Sequence, residues 1–151
     1  MDKIIQHSVR LHCNTHRAFE MFTVNKYLQT WLTAIADVEP AVGGKYELIW
    51  DPGDRENNNT IGCRVTAIER DKYLAFEWKG PKRFKHFMNN ADPLTHVTVF
   101  FIPSDEVFTT STDVYLIHSG WRSSPEWEEA RRWFVRAWSE AFEELESQVN
   151  G

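Results

Sequence analysis

From Ser124 onward the chain carries one uninterrupted helical pattern. Ser124 suits an N-cap, Pro125 the first helical position, and Glu126, Glu128 and Glu129 the positive end of a helix dipole. Trp127, Ala130, Phe134, Trp138, Ala141, Phe142, Leu145 and Val149 then recur at three- and four-residue steps, which makes one apolar face. Pro125 to Val149 spans about 37 Å at roughly 1.5 Å per residue. An aromatic stripe that long has to be covered by something broad, and Asn150-Gly151 ends the run.

The cover is a series of strands. Ile5, His7, Val9 and Leu11 alternate with Gln6, Ser8, Arg10 and His12, which predicts a half-buried strand over 4–12. Asn14 or Thr15 offers an N-cap before a short helix through Phe22, and a second short helix covers Lys26 to Leu32. Both helices are too short to stand alone and must dock on the sheet. An acidic-apolar strand then leads to Gly43-Gly44, after which Tyr46, Leu48 and Trp50 alternate with Lys45, Glu47 and Ile49. The polar stretch 51–59 predicts an exposed loop, and strands are expected at 60–69 and 73–79, divided by Glu69-Arg70-Asp71-Lys72. Pro81 and Pro93 bracket an irregular segment over 80–95. Val97, Val99 and Phe101 share a face of the next strand, Pro103-Ser104-Asp105-Glu106 turns the chain, and Thr112, Val114, Leu116 and His118 share a face of the last. The sum is an α+β chain of one domain, 1–151. A curved antiparallel sheet of about six or seven strands grips the terminal helix beside two short helices.

Composition narrows the partners. A net charge of -5 argues against nucleic acid, and the one basic run, Lys79 to Lys85, reads as a solvated loop. Two cysteines, Cys13 and Cys63, make no disulfide framework. The N-terminus lacks an apolar signal core and no stretch has the length of a membrane span. A reduced, cytoplasmic protein without membrane insertion is expected. Aromatics reach 14% with 7 Trp, which suits an apolar ligand site and equally suits a filled core.

Four segments in order carry a resemblance. They are VEPAVGGKYEL (38–48), Gly62 leading into KYLAFEW (72–78), HVTVFF (96–101) and TDVYLIHSGW (112–121). Together they resemble the START-like superfamily and, within it, the family named after the activator of Hsp90 ATPase. The resemblance covers essentially the whole chain and implies the helix-grip (START/Bet v 1-like) fold with a cavity between sheet and helix. Departures are Asp113 and Tyr115 in the strand leading to His118, and Ala137-Trp138 where Gly-Trp is usual. The resemblance does not fix a function, since relatives include lipid carriers, cyclases, resistance proteins and co-chaperone domains. The co-chaperone activity is expected of a longer architecture with a further N-terminal domain.

The resulting expectation is a small hydrophobic or aromatic ligand held between sheet and helix. Tyr46, Leu48, Trp50, Phe76, Trp78, Val99, Phe101, Leu116, His118, Phe134, Trp138 and Phe142 would form the site, with His118 as polar anchor. His118 equally suits a structural histidine bonded to its surroundings. A cyclase or hydrolase would use His118 with a nearby acid or Tyr115, and a protein-interaction module would use Phe84, Phe87 and Met88 amid Lys82, Arg83 and Lys85. His12, Cys13 and His16 lack the spacing of a metal set, so neither metal nor cofactor is expected. Neither cysteine has an activating base and no catalytic signature is present.

Overall fold

The computed structural model describes residues 3–104 and 110–151. Strand β1 (Ile5–Leu11) is followed by helices α1 (Thr15–Thr23) and α2 (Asn25–Trp31). Asn14 caps α1 by accepting a hydrogen bond from the Arg17 amide at 2.8 Å. Strands β2 (Ile35–Val38) and β3 (Tyr46–Ile49) pair with each other. Strands β4 (Val65–Glu69), β5 (Tyr73–Trp78), β6 (Thr95–Pro103) and β7 (Thr112–Ser119) follow, with the short helix α3 (Lys85–Met88) between β5 and β6. Helix α4 (Pro125–Asn150) closes the chain, its Trp127 amide bonded to the Ser124 hydroxyl.

Seven strands form, but in two sheets. Five run in the order β1-β7-β6-β5-β4, all antiparallel, and β2-β3 makes a second pair. The pair is joined to the start of β4 by exchanged bonds between Val65 and the Gly43-Gly44 turn and by an isolated bridge from Lys45 to Arg64, while a second bridge ties Ile49 to Asn59. That turn is required by geometry. Gly43 has φ +82°, and a Cβ at Gly44 would fall 2.3 Å from the Glu39 carbonyl oxygen.

Three expectations change. The strand expected from residue 60 begins only at Val65, because Gly62 sits at φ +95° and the Cys63 amide turns back onto Thr60. Thr60 instead stitches to β3, donating to the Tyr46 carbonyl and accepting from the Leu48 amide. Trp50 lies just beyond β3 and is 38% exposed, its indole N–H donating to the Leu32 carbonyl at 2.7 Å. A single turn, α3, forms in the segment read as irregular; four residues are too few to show a helical period. Of the expected turn at 103–106, Asp105 and Glu106 lie outside the described residues.

Helix α4 crosses the concave side of the sheet. Ala130, Phe134, Trp138, Phe142 and Leu145 are buried, with Trp127, Ala141 and Val149 partly so. At its middle the His7 ring donates to the Val135 carbonyl at 3.0 Å, and at its end Asn150 bonds both the Arg10 carbonyl and the His12 amide, tying the helix to β1. Among the described residues, no helix is long and apolar enough to cross a membrane.

Candidate functional site

A half-open cavity of about 310 Å³ lies between α4, the end of β5 and the loops beside them. Four tryptophans line it: Trp50, Trp78, Trp133 and Trp138. Phe134, Leu32, Ala137, Ala141 and Pro81 continue the apolar wall, and Asn58, Asn59, Lys79 and Gly80 complete it. Its origin is legible on the helix. Trp133, Ala137 and Ala141 form an i, i+4, i+8 row flanking the buried row of Ala130, Phe134, Trp138 and Phe142. Two methyl groups where large side chains could stand leave the helix short of the opposing indoles.

Trp50, Trp78, Phe134 and Trp138 are the expected site residues that meet at this cavity. Tyr46, Leu48, Phe76, Val99, Phe101, Leu116, His118 and Phe142 do not line it and are packed in the core, each under 5% exposed. Tyr46 stacks on Phe76 with ring centroids 3.7 Å apart and donates its hydroxyl to the Phe22 carbonyl at 2.7 Å. Phe101 meets Phe19 and Phe22, while Phe142 meets Phe22, Trp31 and Trp138. The short helices α1 and α2 therefore fill one half of the concave face, and this cavity lies in the other half. Trp133 and Leu32 join the cavity without having been expected there. Ala137, which stands where the resemblance leads one to expect glycine, is also on the cavity wall.

His118 is fully enclosed and both ring nitrogens are occupied. The Trp138 indole N–H donates to Nδ1 at 3.1 Å, so the ring proton is on Nε2 and is donated to the Thr95 hydroxyl at 3.0 Å. Burial, assisted by His96, pushes the His118 pKa down to about 3. A neutral ring with no free nitrogen cannot anchor a ligand or move a proton at neutral pH. Tyr115 lies on the opposite face of β7 and pairs with Ser8 and Phe100, so it does not converge on the His118 ring.

Other reactive groups are similarly placed. Burial raises the Cys63 thiol to about 12 and also raises Cys13 against the pull of Arg17, leaving both as protonated thiols. His16 pairs with Asp71 at 2.9 Å and approaches Glu20, and the described residues hold no group of three or more His, Cys, Asp or Glu placed to bind a metal. In the 80–95 segment Phe84 and Met88 are buried, and Phe87 packs edge-on to Trp127. The apolar residues of that segment thus face the core, with Lys82 and Arg83 left outside. In the cavity wall itself, the buried indole N–H of Trp78 has no hydrogen-bond partner among the described residues.

The sequence matches the family described as Activator of Hsp90 ATPase homolog 1-like protein over residues 12–150. The chain belongs to this family. Solved structures share its fold. A protein from Mesorhizobium loti superposes with a TM-score of 0.75 at 20% identity, covering 98% of this chain and 97% of its own. The Aha1 dimer from Colwellia psychrerythraea gives 0.71 at 15% identity, covering 97% and 96%. An Hsp90 activator from Plasmodium falciparum gives 0.69 at 19% identity, again covering 97% and 96%. At these identities the likeness speaks for the START-like architecture of the activator-homologue family alone. No curated protein sequence matches the chain.

Proposed function

We propose that this activator-homologue chain acts as one binding domain for a small, largely apolar molecule seated between the sheet and α4. The observation that carries this reading is the half-open cavity walled by four indoles, Phe134 and two small alanines. Its volume of about 310 Å³ stands at the lower end of small-molecule sites, roughly ten waters' worth of space, which suits one or two rings. The enclosed state of His118 favours binding over turnover.

Titration of the intrinsic tryptophan fluorescence with lipids, aromatic polyketides and flavonoids tests the reading, because four of the seven tryptophans touch the occupant's space. A saturable change with at least one class is expected; silence across the panel would overturn it.

A second reading is stimulation of a chaperone ATPase, favoured by the family and by the Plasmodium falciparum neighbour, an Hsp90 activator. Since 96% of that solved chain is covered, length gives no ground for setting the two apart. An Hsp90 ATPase assay with and without this protein decides it, an unchanged rate counting against.

A further inference from the structure

The cavity does not end at a neutral rim. Trp133 lines both the cavity and an adjoining surface groove of about 410 Å³, whose other walls are Arg83, Pro125, Glu128, Glu129, Arg132 and Arg136. On α4 the two spaces are served by neighbouring rows. Trp133 and Ala137 face the cavity, while Arg132 and Arg136, each one residue earlier, face the groove. The basic run of residues 79–85 makes the same crossing on the other side: Lys79, Gly80 and Pro81 wall the cavity and Arg83 walls the groove. Phe84 underpins the junction, its ring 5.9 Å from that of Trp133.

The groove's charges are unequally matched. Arg83 pairs with Glu129. Glu128 takes Arg132 at 3.3 Å together with Arg131 and Lys3, and the Arg131 hydrogen bond first of all holds its carboxyl down at about 2. Arg136 has no ion pair or hydrogen-bond partner among the described residues and is exposed. One guanidinium is therefore left over beside an apolar cavity, on a chain whose overall charge is -5. A guanidinium presents a planar fork of donors that matches a carboxylate.

Building on the ligand-binding reading above, we propose that the occupant is a hydrophobic acid. Its one- or two-ring aromatic body lies over Ala137 in the cavity, and its carboxylate reaches past Trp133 to Arg136, with Arg83 and Arg132 around it.

Calorimetric titration of the intact chain with naphthoate and with the neutral, equally sized naphthamide tests this. Naphthoate should bind more tightly by about three- to tenfold, the range of a charge-assisted pair at a partly solvated site. Arg136→Gln, at an exposed residue without a partner to lose among the described residues, should abolish that preference by weakening naphthoate down to the level of naphthamide. Raising the salt should shrink it in the parent chain. Equal affinity for the two probes, or a preference that Arg136→Gln retains, overturns the hydrophobic-acid assignment alone. Failure of both probes to bind overturns the cavity reading beneath it as well.

Discussion

His118 is held neutral by its position. Its folded pKa of about 3 lies below the ordinary 6.5, so between those values the unfolded chain takes up a proton that the folded chain refuses. Its contribution to stability is complete above the unfolded value and falls as the pH drops through that window, by at most about 1.4 kcal/mol per pH unit. Urea denaturation at about pH 7 and about pH 5 should show the parent losing stability more steeply than His118→Gln. At neutral pH the variant should be the weaker of the two by about 1–3 kcal/mol, because Trp138 and Thr95 lose their fitted partner. Parallel losses in both proteins would mean that this ring plays no part in acid sensitivity.

At the scale of elements, the void belongs to α4. Ala137→Phe places a ring where the helix now presents a methyl group, so affinity for any cavity occupant should fall at least about tenfold. Stability should hold or rise by up to about 2 kcal/mol, as for other fillings of open space. Fluorescence titration and urea denaturation check the two halves, and an undiminished affinity would place the ligand elsewhere. The helix itself was readable in sequence because its cap, its proline and its aromatic period agree, and the strands of the large sheet because they alternate. The cavity was only half readable. Trp50, Trp78, Phe134 and Trp138 follow from strand and helix faces, but the period of α4 picks out its most buried row and, of the flanking row, takes in Ala141 while passing over Trp133 and Ala137. Nor does any pattern say which half of the concave face α1 and α2 will fill; Phe19, Phe22 and Trp31 decide that through tertiary contacts. The start of β4 was missed for a local reason, the left-handed Gly62.

For the whole molecule, occupancy of the cavity links to folding. A ligand at about a hundred times its dissociation constant adds about 2.7 kcal/mol to the folded state. For a chain of this size that corresponds to a rise in Tm of about 5–10 °C. Differential scanning calorimetry with a ligand found by fluorescence should show it, and a fixed Tm at saturation would mean that binding does not discriminate folded from unfolded chain. The indoles of Trp78 and Trp138, with ring centroids 5.2 Å apart, act here as a party wall between two rooms. Behind them His118, bonded at both ring nitrogens, and the rings under the short helices are buried in the core. In front, the half-open cavity is bounded by one flank of α4, the end of β5 and the loops beside them. Changes at the front can therefore reshape the cavity without disturbing the packing behind, and the same architecture recurs in chains that share only 15–20% of their residues.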